Sequence, residues 1–240
     1  AISIATTFMP ELVRRVRVGD RAGFRDWTTS GIRWIMILTV PSSVAMVVLS
    51  KPIISSLLEH GHFSNSAATN TAHALAGLSV GLVGFSIYIF ALRGFYAHED
   101  TRTPFFVNLF ENGLNILFAA MLVGRHGVLG LGLAFGLAYM VAAVVVMWLL
   151  HTRHGAINWQ GVMFIFTRTV AAAAVMGVAV WGIQAGLTAR SGFTRLAELF
   201  MCVGAGFIIY VAGLSALRVP EMRDARSLLP RRSTDVGSEI

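Results

Sequence analysis

The chain has 240 residues, of which 55% are hydrophobic and only 13% are charged. Soluble domains carry about 25% charged residues, so this chain has too few polar side chains to cover a water-facing surface. Its apolar residues fall into blocks of about 20, the length that an α-helix needs to cross a hydrocarbon core of about 30 Å. The composition therefore excludes a soluble domain and predicts an all-α, polytopic membrane protein. The net charge of +7 does not indicate a nucleic-acid partner, because the arginines lie in short segments between the apolar blocks.

Two segments precede the first complete span. Residues 1–9 are apolar but too short to cross a membrane, and we expect them to be the end of a transmembrane helix that starts before this sequence. Residues 10–31 are rich in arginine and are expected to form a cytoplasmic basic loop, which could include an amphipathic interfacial helix. A lipid-headgroup or substrate patch is the alternative for these arginines.

Six complete transmembrane helices are predicted, over residues 32–49, 72–92, 105–123, 128–150, 164–187 and 196–217. The first four form one group over residues 32–150, and the last two form an extra C-terminal pair over residues 164–217. Gly77 and Gly81, spaced four apart in the second span, predict close helix packing, as do Gly130, Gly132 and Gly136, which leave one face of the fourth span nearly smooth. Residues 218–240 are polar and basic and are expected to be a cytoplasmic tail or linker, which could lead to a further domain.

The loops on alternate sides of the predicted spans differ strongly in basic residues. The segment before the first span, the loops after the second and fourth spans, and the tail carry 15 of the 19 lysines and arginines when Arg33 and Arg168, near the starts of the first and fifth spans, are counted with them. Because basic loops stay on the cytoplasmic side of a membrane, this bias places both ends of the chain in the cytoplasm.

The third predicted span contains four polar residues, Asn108, Glu111, Asn112 and Asn115. At about 100° per residue these positions share one helical face. An ionisable side chain within a bilayer costs roughly 2.5 kcal/mol or more, so Glu111 must face protein or a water-filled cavity. Two interpretations stay open: the four side chains line a path for a substrate, proton or cation, or they join neighbouring helices by hydrogen bonds.

The sequence shows no catalytic or metal-binding motif. It has no glycine-rich phosphate loop, no nucleophile elbow and no set of residues with metal-ligand spacing, and Cys202 is its single cysteine. We therefore predict no catalytic residue, no metal site, no cofactor and no enzymatic activity. A transporter, a structural membrane subunit and a membrane anchor for a soluble domain remain the candidate classes.

The turn between the second and third spans has the sequence FYAHEDTRTP, which resembles the FYALGDTRTP-type turn of the MurJ/MviN family of lipid II flippases in the multidrug/oligosaccharidyl-lipid/polysaccharide exporter superfamily. The matching residues are Phe95, Tyr96, Ala97, Asp100, Thr101, Arg102, Thr103 and Pro104. FMPELVRR, VPSSVAMVVLSKPII, LLEHGHFS and GLGLAFGLA resemble other family segments in the same order, so the resemblance covers residues 1–150. We expect this signature turn (residues 95–104) to be structural, with Thr103 capping the next helix.

The resemblance implies that the chain is the end of helix eight and helices nine to fourteen of a fourteen-helix, two-lobe exporter. Such a protein moves lipid II, or a similar polyprenyl-linked substrate, from the inner to the outer leaflet of the bacterial cytoplasmic membrane by alternating access. The expected partners are this substrate, membrane lipids, an N-terminal lobe of the same protein and a cytoplasmic domain at the tail. Helices thirteen and fourteen, here residues 164–187 and 196–217, would border a groove for the polyprenyl tail.

Two departures from the family pattern matter for the site. The cavity arginines of the family lie mostly upstream of this sequence. The asparagine, aspartate and threonine of its sodium site align with Asn115, Ala119 and Phe135, so a sodium site of that type is not expected here. Glu111 is the candidate for proton handling instead. The alternatives to a lipid II flippase are an exporter of another lipid-linked oligosaccharide or small molecule, and a membrane anchor for a cytoplasmic signalling domain.

Overall fold

The structure is a computed structural model, and it describes residues 2–58, 65–188, 195–217 and 219. Within these ranges every regular element is an α-helix, which confirms the all-α class. The described helices are, in chain order, α1 (Ile2–Arg17), α2 (Arg21–Val48), α3 (Ser50–Leu58), α4 (Asn65–Val80), α5 (Leu82–Ala97), α6 (Arg102–His154), α7 (Trp159–Thr188) and α8 (Arg195–Ala216). Apart from Val219, the predicted tail lies outside the described residues.

Four described helices are each long and apolar enough to cross a membrane: α2, α6, α7 over Trp159–Gly186 and α8 over Leu196–Ala216. α4 and α5 pass the same test only as a pair, with a bend of 44° between them, which gives up to five candidate segments when α6 is counted once. A multi-pass membrane protein is therefore confirmed. The predicted count of six complete spans is not confirmed by these helices.

α6 is a helical hairpin rather than one straight helix. It contains 53 residues and would be about 80 Å long at 1.5 Å per residue, far more than a bilayer requires. Gly127 interrupts it with a φ of 55° and a ψ of −129°, a conformation that suits a residue without Cβ. The first arm (residues 102–126) and the second arm (residues 128–154) fold back on each other. The hydrogen bond from Arg153 to the Thr103 hydroxyl shows that their outer ends meet.

Glycines let α4 and α5 approach the second arm of α6 closely. A Cβ atom on Gly77 would lie 2.9 Å from the carbonyl oxygen of Leu129 and 3.0 Å from Cα of Gly132, so no larger residue fits there without movement. Gly81 meets Gly136 in the same way. The close packing predicted from the spacing of these glycines is confirmed, and the order of the contacts shows that the helices run parallel.

The predicted basic loop, residues 10–31, is helical except for a short turn. Only residues 18–20 separate α1 from α2. Glu11 accepts hydrogen bonds from Arg14 at 2.8 Å and from Arg15 at 2.7 Å. Such pairs, three and four residues apart, together with the good helix propensity of arginine, stabilise a helix where the density of charge indicated a loop.

α2 is the central helix of the described bundle. It contacts α1, α4, α5 and α7, while α8 packs mainly on α7 and α6 packs on α4 and α5. Fully buried side chains from α2, α5, α6 and α7 belong to one hydrophobic cluster, which includes Ile32, Ile35, Phe90, Leu150 and Ile165. This shared core fixes the position of α5 and of the α6 hairpin, on which the candidate polar site lies.

Candidate functional site

Glu111 lies in the first arm of α6 and is only 1% exposed. Its Oε1 atom has no hydrogen-bond partner among the described residues. Tyr88 of α5 and Tyr139 of the second arm both lie near enough to interact electrostatically with Glu111. The rings of these two tyrosines contact each other edge to face, with centroids 5.3 Å apart. Glu111 is therefore enclosed by protein, as expected for an ionisable residue in a membrane helix.

The three asparagines have different surroundings. Asn108 approaches the Tyr88 hydroxyl, with 3.5 Å between Nδ2 and the oxygen, which is long for a hydrogen bond. Asn112 is exposed, and its Nδ2 donates to the backbone oxygen and to Oδ1 of Asn108 at 2.9 and 3.1 Å. Asn115 is half-buried, and its side chain has no hydrogen bond within the described part of the chain. The structure thus brings Asn108 near Tyr88, links Asn112 to Asn108 and leaves Asn115 apart.

Tyr88 and Tyr139 are site residues that the sequence reasoning missed. Each stands alone in an apolar span, and a phenol hydroxyl buried in such a span needs a polar partner. That requirement was the available signal. It did not identify the partner, because Tyr88 and Asn108 lie on different helices and their contact depends on the register between them.

The signature turn holds the start of α6 through Asp100. Its Oδ1 atom accepts hydrogen bonds from the backbone N–H groups of Arg102 and Thr103, both at 3.0 Å, and its Oδ2 atom accepts one from the Thr103 hydroxyl at 2.6 Å. The expected cap, Thr103, lies inside the helix, and Asp100 satisfies the free backbone donors instead. The prediction of Thr103 as the cap was wrong because the helix begins two residues earlier than Pro104 indicates.

Asp100 also connects the two ends of the α6 hairpin. Arg153, at the far end of the second arm, lies 3.3 Å from Oδ2 of Asp100 and donates to the Thr103 hydroxyl. The hydrogen bond from the Thr103 hydroxyl, those from the two backbone N–H groups and the charge of Arg153 lower the pKa of Asp100. In the same turn Phe95 is fully buried, whereas Tyr96 is 42% exposed. The turn therefore combines a buried anchor with a polar clamp, which we call the Asp100 clamp (Asp100, Thr103 and Arg153).

An apolar groove of about 380 Å³ runs among α2, α7 and α8. Trp34, Leu38, Val180 and Phe207 are among the residues that line it. Tyr210 lines it too, but its hydroxyl donates a hydrogen bond of 2.7 Å to the backbone oxygen of Ile37, so that no free polar group faces the groove from this side chain. The groove is suited to an apolar chain.

The described residues contain no group of three or more His, Cys, Asp or Glu side chains that could hold a metal ion. Phe135, which aligns with the threonine of the family's sodium site, packs against Tyr139 with ring centroids 4.6 Å apart. An aromatic ring in that position supplies no oxygen ligand, and sodium-type hard cations bind through oxygen.

Comparison with known proteins gives a consistent result. The family model described as lipid II flippase MurJ matches residues 1–199. A protein of Rhizobium meliloti (strain 1021) named probable lipid II flippase MurJ is 31% identical over 183 residues, which are 75% of this chain and 34% of that protein. A protein of the same name from Vibrio cholerae is 27% identical over 223 residues, which are 91% of this chain and 42% of that protein.

A solved structure of lipid II flippase MurJ in an inward closed conformation matches with a TM-score of 0.71 and 20% sequence identity. The match covers 93% of this chain and 44% of that one, and at this identity it shows the fold. The chain thus spans between a third and a half of the length of these relatives. Because the family model covers 199 of the 240 residues, the chain belongs to the lipid II flippase MurJ family.

Proposed function

We propose that the chain is part of a lipid II flippase, which moves the lipid-linked peptidoglycan precursor from the inner to the outer leaflet by alternating access. The observation that carries this proposal is the family match over residues 1–199, together with the names of the relatives. The movement of a lipid between leaflets needs no covalent step. We therefore propose a transporter rather than an enzyme, on the strength of the family match.

The groove among α2, α7 and α8 supports a polyprenyl-linked substrate. Its lining is almost wholly apolar. A polyprenyl tail bound there would cover this apolar surface in place of the chains of membrane lipids. α7 and α8 cover the predicted spans over residues 164–187 and 196–217, which the family resemblance assigns to the tail groove. The polar headgroup of the substrate would then lie toward the central cavity. The other lobe of the exporter would form part of the wall of that cavity.

Glu111 is the residue for which we propose a role in the transport path, with Asn108, Asn112 and Asn115 as its polar neighbours. An ionised carboxylate buried without a partner costs several kcal/mol, so the uptake or release of a proton or cation at Glu111 would alter the local packing. Tyr88 of α5 and Tyr139 of the second arm of α6 lie close enough to feel the charge of Glu111, so both elements could respond to that change. The alternative, in which these side chains act only as packing contacts, makes transport independent of Glu111.

The first arm of α6 offers a surface to the lobe that this chain does not contain. Large apolar side chains are exposed along it: Phe105, Phe106, Leu109, Phe110, Ile116, Leu117 and Met121. We propose that membrane lipid and an N-terminal lobe of the same protein cover this surface, and that a further domain or partner can follow the tail, residues 218–240. We also propose that the arginine-rich end of the bundle and both chain ends face the cytoplasm of the inner membrane.

Depletion of the full-length protein in cells tests the proposed function. Lipid II is expected to accumulate in the inner leaflet, so that an impermeant reagent added outside spheroplasts modifies a smaller fraction of it. Expression of the protein from a plasmid should restore the outer-leaflet fraction. An unchanged distribution of lipid II would contradict the proposal and would leave an exporter of another lipid-linked sugar, or a membrane anchor, as the function.

A further inference from the structure

A second cavity, of about 610 Å³, lies at the arginine-rich end of the bundle. The end of α1, the turn at residues 18–20, the start of α2, the C-terminal cap of α5 and the end of α6 meet around it. Its lining includes four arginines and one carboxylate: Arg15, Arg21, Arg25, Arg153 and Asp20. We call this the arginine cavity. It shares no lining residue with the polar site at Glu111 or with the apolar groove.

Arg15, the first of the four arginines, is held in place by two carboxylates. Arg15 donates to Glu11 at 2.7 Å and also to Asp20. Hydrogen bonds from Arg14 and Arg15 lower the pKa of Glu11 to about 2, and hydrogen bonds from the Gly23 N–H and then Arg15 lower the pKa of Asp20. Both carboxylates are therefore ionised at neutral pH and neutralise part of the charge of Arg15, while its remaining guanidinium N–H groups stay available as donors.

Arg21 and Arg25 supply the excess positive charge of the cavity. Both lie in the first turns of α2 and are exposed. Arg25 has a carboxylate oxygen of Asp26 at 3.7 Å, but both side chains are at least half exposed, and ion pairs of that kind contribute little. Arg153 adds a further guanidinium from the end of α6, where the Asp100 clamp fixes it.

The remaining wall is built from flat rings. His98 and His154 are stacked, with centroids 3.8 Å apart, and Phe24 meets His98 edge to face at 4.7 Å. His98 is fixed by a hydrogen bond of 2.9 Å between its Nδ1 and the backbone oxygen of Gly94. The ring stack and this hydrogen bond therefore make part of the cavity lining rigid.

From this geometry we infer that the arginine cavity binds a phosphate group, as carried by the headgroup of an anionic phospholipid. The planar guanidinium fork of arginine matches the oxygens of a phosphate better than a point charge does. The volume lies within the range of ligand pockets, about 300–1,000 Å³, and exceeds what a free inorganic ion needs. The cavity opens where membrane helices end, the level at which headgroups lie, and basic pockets at this level are suited to them.

Lipid binding to the natural-length protein in detergent, measured by native mass spectrometry, tests the inference. The probe is dioleoylphosphatidylglycerol, with dioleoylphosphatidylcholine as the zwitterionic comparison. The variant Arg21→Gln with Arg25→Gln is expected to bind the anionic lipid about fivefold more weakly for each arginine removed. The matched control is Arg14→Gln with Arg17→Gln, which removes the same charge from exposed positions of α1 outside the cavity lining. It should bind the lipid within about twofold of the unchanged protein.

A second variant, Ala22→Trp, fills the cavity without changing the charge, because Ala22 is an exposed residue of its lining. It is expected to weaken binding of the anionic lipid as well. An equal loss in both arginine double variants, or no loss in the cavity variants, would overturn the inference, since the attraction would then be a property of the whole basic surface or absent.

Inorganic phosphate separates the two sources of the ligand. The thermal unfolding temperature is measured in lipid-free detergent with inorganic phosphate and, as the control, with chloride at the same ionic strength. If the cavity binds the phosphate of a lipid headgroup, the two temperatures should be equal. A rise in that temperature, lost in the Arg21→Gln with Arg25→Gln variant and without any preference for the anionic lipid, would retain the phosphate site and reassign it to a soluble phosphate compound.

Discussion

The substitution Gly84→Ala probes the close contact between α5 and the second arm of α6. A Cβ atom on Gly84 would lie 2.7 Å from the backbone nitrogen of Met140, 2.8 Å from its Cα and 2.9 Å from the carbonyl carbon of Tyr139. Ordinary carbon contacts lie at about 3.5–4.0 Å, so the two helices would have to separate by nearly 1 Å. Backbone atoms cannot rotate out of the way as a side chain can.

The energetic cost follows from this overlap. Overpacking a close contact costs about 1–3 kcal/mol, while alanine gains about 1 kcal/mol over glycine inside a helix. The substitution Gly113→Ala is the matched control, since Gly113 also lies inside a helix and a Cβ atom there would meet nothing within 4 Å. The helix-propensity gain is common to both variants. The Gly84→Ala protein should therefore have a free energy of unfolding about 1–3 kcal/mol lower than that of the Gly113→Ala protein.

Thermal unfolding in detergent, followed by circular dichroism, measures this difference. For a domain of about 150–250 residues, each kcal/mol shifts the melting temperature by about 2–4 °C. Equal melting temperatures for the two variants would refute the reasoning, because they would show that α5 and α6 do not approach as closely as the structure places them.

Three further predictions concern the polar site, the Asp100 clamp and the groove. Glu111→Gln is expected to abolish the dependence of lipid II movement on pH or membrane potential in a vesicle assay, because the amide cannot exchange a proton. Asp100→Ala removes the cap of α6 and should lower the free energy of unfolding by about 0.5–2 kcal/mol at neutral pH. Because the pKa of Asp100 is lowered in the folded state, this contribution is fully present above the unfolded pKa of about 3.9 and is lost as the pH falls through the folded pKa. Ser42→Trp fills the groove and should weaken lipid II binding in native mass spectrometry, whereas Ala174→Trp, exposed on α7 outside the groove, should not.

Each of these predictions has an outcome that contradicts it. Unchanged pH and potential dependence in the Glu111→Gln protein would favour a packing role for the polar cluster. A stability difference between the unchanged and Asp100→Ala proteins that is the same at every pH, down to full protonation of Asp100, would show that the clamp does not act through the carboxylate. Equal lipid II binding by the two tryptophan variants would exclude the groove as the tail site.

The sequence was sufficient to predict the features that depend on local spacing. The four-residue spacing of Gly77 and Gly81 predicted a close helix contact because four residues return a helix to nearly the same face, and the glycine-lined face of the fourth span predicted the same. The enclosure of Glu111 followed from the cost of exposing a carboxyl group to lipid. Both arguments use one helix at a time, and the structure agrees with both.

The break at Gly127 lies in the four residues left between the predicted spans 105–123 and 128–150, as the sequence indicated. The features that depend on the packing of two helices were not predictable in the same way. The bend between α4 and α5 depends on how the flanking segments pack, and glycine alone permits either a straight or a broken helix. The contact between Asn108 and Tyr88 depends on the register of α5 against α6. The arginines of residues 10–31 left open a loop or an interfacial helix, and the pairing of Arg14 and Arg15 with Glu11 stabilises the helix.

The hairpin form of α6 has a consequence for the biosynthesis of the chain. An ionisable side chain near the centre of an inserting helix adds about 2.5–3.5 kcal/mol to the cost of entering lipid. Tyr139, which helps to enclose Glu111, is synthesised 28 residues after it. The first arm alone would therefore expose its carboxyl group to lipid until the second arm emerged. We expect the insertion machinery to release the two arms as a pair, so that Glu111 meets protein before it meets the bilayer.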